Sequence, residues 1–257
     1  MKLNGGVIII GSLLWEDHLD FNGIEDSIRS IWREQNLKMD EKKSVSLPIR
    51  YGRISSKRFH TYTMIFCNSV DSSQSKGFII PFCETINSFE ELYIQAIAMA
   101  KAEGIYTNKK NKRITTNWGS VGILINPTLE FEYPSVYSYL VERWETLYSN
   151  YQDSFKSYKY SIQDIPPVID QNGFMQIEWK EEFKEFDFLL ATPTEPHPQK
   201  RILEVEITNA IFESRNCSKN MKYPDGYSEY FYRNRAEGII TYQDERINEI
   251  LNQRQQY

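Results

Sequence analysis

Four apolar β-branched residues, Val7 to Ile10, run directly into Gly11-Ser12, and Leu13, Leu14 and Trp15 follow. A short run of this kind predicts a strand buried on both faces over 7–14, because β-branched side chains suit a pleated, covered surface. The Gly-Ser pair then matters. A buried strand that breaks there presents backbone N–H groups at its end, and such groups suit a carboxylate or an oxyanion. The plain alternative is an ordinary β-turn.

The remaining elements follow from periodicity. Asn22 to Asn36 reads as a helix with Ile24, Ile28 and Ile31 on one face. Val45 to Ser56 reads as one strand with a proline near its start and a kink at Gly52. His60 to Cys67 reads as its hairpin partner, Phe78 to Cys83 as a further strand, and Trp118 to Pro127 as another. The best-marked helix begins at Ser88, an N-cap with Glu91 three residues on, and stops at Gly104. The texture changes after Pro127. A helical stripe runs from Tyr137 to Tyr151, strands are expected at Phe174–Trp179 and in Phe186–Thr194, and helices at Leu203–Arg215 and Gln243–Gln253. This places a boundary near residue 127, with one domain over 1–127 and an α/β extension over 128–257 packed on it.

Composition narrows the function classes. The formal net charge of -5 provides no overall basic footprint for nucleic acid, and the basic run Asn108–Arg113 reads as a solvated loop. Cys67, Cys83 and Cys217 form no CxxC pair, and with His18, His60 and His197 they make no zinc spacing, so no metal and no cofactor is expected. No apolar segment reaches the ~20 residues of a membrane span, and no secretory leader is visible. The expectation is a reduced, cytoplasmic protein with a small-molecule ligand, no nucleic acid and no membrane. The aromatic and charged stretch Tyr223–Glu245 suits a nucleotide base, a protein partner or self-association through the C-terminal half, or simple packing on the first.

The first half resembles the gamma-glutamylcyclotransferase-like proteins. The resemblance rests on "IGSLLW" (Ile10–Trp15), on "KGFIIPF" leading into "SFEELYIQAIAMAKAEGI", and on "WGSVGILIN" after it. It spans about residues 7 to 127. Where the family carries Tyr before the Gly-Ser pair, this chain has Ile10. The resemblance implies an α+β fold built on a curved mixed β-sheet or small barrel with helices. It also implies release of 5-oxoproline from a γ-glutamyl or related amide, the substrate's own amine attacking its side-chain carbonyl. Gly11, Ser12, Leu13 and Leu14 would cradle the substrate through their N–H groups. Glu103 would be the general acid/base, because one carboxylate can take the amine's proton and return it to the leaving nitrogen. Glu84 is the second choice for that role.

The same residues admit plainer readings. Glu103 also fits a solvated last turn, and Glu237-Gly238 repeats its Glu-Gly signature at another helix end. Arg50 and Tyr51 are candidates for recognising a substrate carboxylate or phosphate, and equally for a salt-bridged arginine and a packed tyrosine. Cys67 and Cys83 read as buried fillers. Two functions therefore stand: the cyclotransferase-like enzyme, and a non-catalytic binding or regulatory module that keeps the cradle. A third is a sensor holding a nucleotide-like ligand through Arg50 or Arg53.

Overall fold

The computed structural model describes residues 2–17, 28–58, 60–107, 113–218 and 229–255, and leaves the side chains of 57, 215–218, 229 and 255 undescribed. In chain order the elements are β1 (Gly5–Ile9), α1 (Ile28–Asn36), β2 (Lys43–Ser46), β3 (Ile49–Ser55), β4 (Thr61–Phe66) and β5 (Lys76–Pro81). Then come α2 (Phe89–Glu103), β6 (Gly122–Ile125), α3 (Thr128–Glu132), α4 (Pro134–Ser149), β7 (Phe188–Ala191), α5 (Glu204–Ser218), α6 (Glu229–Ala236) and α7 (Asp244–Gln255). Among the described residues the fold is mixed α+β with two sheets.

The larger sheet has the order β2-β5-β1-β7-β6. It is mixed. β1 runs antiparallel to β5, with Val7 opposite Ile80, and parallel to β7, with Val7 opposite Leu190. All five residues of β1 are buried, as a central strand covered on both faces requires. This explains the Val-Ile-Ile run. The boundary expected near residue 127 does not divide this sheet. β7, from the second half, lies between β1 and β6 of the first, and Val7, Leu124, Leu140, Trp144 and Leu190 belong to one continuous core.

Three strand expectations need correction. The strand from 7 stops at Ile9, and Ser12–Leu14 is a single 3₁₀ turn. The single strand over 45–56 is two. Pro48 brings no N–H, Leu47 donates to the Ser75 carbonyl, and the chain leaves the large sheet there. β2 remains beside β5, while β3 forms a separate antiparallel ladder with β4 and a single bridge from Arg53 to His197. The expected strands therefore do not share one sheet. Finally, 174–179 forms no strand, only isolated bridges such as Phe174 to Ile123.

The β3–β4 hairpin and α2 form as expected. Ser88 Oγ accepts the Glu91 N–H at 3.1 Å, and Gly104 closes α2 with φ of 77°. The Glu91 carboxylate reaches back one residue further than a capping box requires, to the Asn87 N–H at 2.7 Å. In α4 the expected stripe buries Leu140, Trp144 and Tyr148. α5 and α7 match the C-terminal expectations. The start of the helix expected at Asn22 lies outside the described residues.

Candidate functional site

The site is built where β1 ends. Gly11 is extended, with φ of -172°. An added Cβ there would stand 2.6 Å from Tyr230 Oη, so close approach rather than backbone conformation accounts for the glycine. Inside the turn, the Leu14 N–H donates to the Gly11 carbonyl at 3.0 Å, and the Glu16 N–H to the Ser12 carbonyl at 2.8 Å. The first N–H groups of such a turn, here those of Ser12 and Leu13, have no carbonyl within it to bond. The cradle expected from Gly11 to Leu14 is thus shorter. Leu14 spends its donor inside the turn, and the Leu13 and Leu14 side chains are buried in the core.

Charge gathers around Ser12. Arg29, on α1, is 3% exposed. Its Nε donates to the Ala102 carbonyl at 2.9 Å and its Nη1 to Ser12 Oγ at 3.0 Å. The same Nη1 pairs with the Glu16 carboxylate. Arg58, which follows β3, donates from Nη2 to Ser12 Oγ at 2.8 Å and forks onto Glu16, Nη1 to Oε1 at 3.0 Å and Nη2 to Oε2 at 2.6 Å. Its guanidinium lies 4.9 Å from the centre of the Tyr230 ring. One turn along α1, Arg33 donates to the carbonyls of Leu13 and Glu16 at 2.9 and 3.1 Å and pairs with Asp17. Burial alone would raise the Glu16 carboxyl, but Arg58 and Arg29 outweigh it and hold it below the ordinary carboxylate range.

Glu103 ends α2 and reaches this cluster. Its Oε2 lies 3.5 Å from Arg29 Nη2, with the side chain 19% exposed. Arg29 therefore brings together the two features the sequence singled out, the Gly-Ser turn and Glu103.

The second half closes the site. Trp15 Nε1 donates to Asn234 Oδ1 at 2.7 Å, and Arg233 lies 5.8 Å from the centre of the Trp15 ring. Tyr230 Oη accepts the Met64 N–H at 3.2 Å.

Among the described residues, Arg50 and Tyr51 make no hydrogen bond to the turn. Arg50 is 1% exposed and donates to the carbonyls of Tyr51 and Ile202 at 3.2 and 2.7 Å. Tyr51 packs on Phe231 at 6.3 Å between ring centres, and burial lifts its hydroxyl well above the ordinary range. Arg53 donates to the Glu195 carbonyl at 2.6 Å and lies 5.4 Å from the centre of the Trp118 ring. Glu84 lines a cleft of about 240 Å³ with Asn4, Gly5 and Cys83, at the opposite end of β1.

No family model, no curated protein and no solved structure matches this chain. Among the described residues, no three His, Cys, Asp or Glu side chains gather to hold a metal, and no helix is long and apolar enough to cross a membrane.

Sequence reasoning missed Glu16, Arg29, Arg58, Tyr230 and Asn234. Of the expected stripe, Ile24 lies outside the described residues, Ile28 is partly buried against the core, and Ile31 turns away from it. Ile31 is 43% exposed, while Arg29, Trp32 and Arg33 are buried. Two arginines four residues apart, flanking that tryptophan, were the available signal.

Proposed function

We propose that this protein is a gamma-glutamylcyclotransferase-like enzyme acting on a γ-glutamyl or related amide, although its strands divide between two sheets where that family's single curved sheet was expected. The observation that supports the reading is the meeting of Ser12 and Glu103 on one guanidinium, that of Arg29. The turn and its arginines hold substrate charge. Glu103 takes a proton from the substrate's α-amine as the amine nitrogen attacks the side-chain carbonyl carbon. The new C–N bond closes the five-membered ring, the old amide C–N bond breaks, and Glu103 returns the proton to the departing nitrogen. The products are 5-oxoproline and a free amine.

A second reading has its own observation. The Glu16 carboxylate fills the arginine pair, which suits a module that binds an anion without turning it over. One experiment separates the two. Release of 5-oxoproline is followed over a panel of γ-glutamyl compounds with the parent and with Glu103→Gln. The enzyme reading expects turnover by the parent and a loss of about a hundredfold or more in the variant. Undiminished turnover in Glu103→Gln would take the acid/base role from Glu103. Absence of turnover by the parent, with a panel member still bound, would leave the binding module.

A further inference from the structure

We infer that Arg29, Arg58 and Ser12 form a subsite for the carboxylate of a small ligand, and that Glu16 occupies it in the ligand-free chain as a tethered stand-in which the ligand's carboxylate displaces. The inference rests on reading the turn as a ligand site, and it holds for the enzyme and the binding module alike.

Four observations carry it. First, two arginines converge on one carboxylate, and Arg58 grips it with both prongs of its fork, the arrangement that matches carboxylate geometry best. Second, both arginines are anchored by contacts that do not involve Glu16. Arg29 is held by the Ala102 carbonyl and Ser12, and Arg58 by Ser12 and the face of Tyr230. The cradle thus keeps its shape without its occupant. Third, Glu16 is the member best able to leave, with its side chain 26% exposed against 4% for Arg29 and 16% for Arg58. Fourth, the charges fix the class. Two guanidiniums, Arg29 and Arg58, face two carboxylates, Glu16 and Glu103. Exchanging Glu16 for a monocarboxylate preserves that balance, whereas a phosphate dianion adds a negative charge beside Glu103.

A tethered group competes as an intramolecular partner, with an advantage no dilute free anion has. Removing it should expose the subsite to free anions. Glu16→Ala and Glu16→Gln are compared with the parent by thermal unfolding and calorimetry, titrated with acetate, 5-oxoproline, inorganic phosphate and, as an ionic-strength control, chloride. Both variants should unfold below the parent and recover saturably with acetate and 5-oxoproline. The half-saturating concentration should be at least tenfold below that for the parent, with phosphate weaker. Adding Arg58→Met to Glu16→Gln should abolish the recovery. If Glu16→Ala does not fold, Glu16→Gln, which keeps the shape, decides alone. Recovery no greater than chloride gives overturns the subsite, and recovery led by phosphate overturns the carboxylate class. Turnover is read separately. A rescued variant whose parent releases no 5-oxoproline removes the enzyme and keeps this subsite, whereas an active parent without rescue does the reverse.

Discussion

Arg58 grips Glu16 with both prongs of its guanidinium, at 3.0 and 2.6 Å. The pair joins the loop after β3 to the turn after β1, and its geometry is one only arginine offers. Replacing Arg58 by Ala leaves a largely buried carboxylate with Arg29 alone, a loss of about 3 kcal/mol in stability. Replacing it by Lys keeps the charge but not the fork, and about 1.5 kcal/mol is expected. Urea unfolding of the two variants tests the order. Equal losses would show that charge alone matters here.

Gly11 and Tyr230 form a second coupled pair. A methyl group on Gly11 meets Tyr230 Oη at 2.6 Å, and that hydroxyl is held by the Met64 N–H. Gly11→Ala is therefore expected to cost about 1–3 kcal/mol by overpacking. Tyr230→Phe removes the obstructing atom and one hydrogen bond, a loss of about 1 kcal/mol. In the double variant the two losses should fall short of additive by about 0.5 kcal/mol or more. Strict additivity would place the cost of Gly11→Ala in the backbone instead.

These contacts mark the limit of what the sequence discloses. α2 was legible from end to end because its signals are local: Ser88 and Glu91 start it and Gly104 stops it. The β3–β4 hairpin was legible for the same reason. The place of β7 was not, since nothing near Phe188 tells that its neighbours are β1 and β6, and such pairings are settled by the whole core. The split at Pro48 was written in the sequence, but a proline near the start of a strand is also compatible with one continuous strand. In the site, the turn and Glu103 were visible as motifs, although the motif could not tell that Leu14 would spend its N–H within the turn. The arginines were hidden. A charged residue is buried only where its partners meet it in space, so on a helical wheel Arg29 and Arg33 resemble a solvent face until Glu16, Asp17 and the Leu13 carbonyl are folded against them.

Arg50 tests whether burial has been correctly separated from function. It is as deeply buried as Arg29, yet its hydrogen bonds go to the carbonyls of Tyr51 and Ile202, and among the described residues no carboxylate pairs with it. Arg50→Ala opens a cavity and orphans two acceptors, and about 3–5 kcal/mol of stability should be lost. Arg50→Met fills the space and should fold. Its affinity for 5-oxoproline, read by calorimetry, should equal the parent's. A clear fall in that affinity would return Arg50 to the site.

The pH dependence of stability separates two carboxyl groups of opposite character. Asp244, the first residue of α7, is buried. Its Oδ1 accepts from the Thr241 hydroxyl at 2.6 Å and from the Thr241 N–H at 3.2 Å, while Oδ2 has no hydrogen-bond partner among the described residues. Burial, only partly offset by Thr241 and Arg235, pushes this carboxyl up to about 6. The folded chain therefore holds the proton more tightly than the unfolded chain, whose carboxyl titrates near the ordinary 3.8. Asp244 favours folding at low pH, and that advantage is lost as pH rises from about 4 to about 6, by roughly 3 kcal/mol in all. Glu16 runs the other way. Arg58 and Arg29 lower it below its ordinary 4.5, so its contribution is present above about pH 4.5 and disappears as pH falls through the lower folded value. Urea unfolding from about pH 3 to about pH 7, on the parent, Asp244→Asn and Glu16→Gln, reads both effects as differences from the parent. The parent should gain on Asp244→Asn as pH falls from about 6 to about 4, and its advantage over Glu16→Gln should shrink below about pH 4.5. An Asp244→Asn curve parallel to the parent's across the upper window would show that Asp244 is solvated in the folded chain. A Glu16→Gln curve parallel in the lower one would show that the arginine pair does not hold the Glu16 charge.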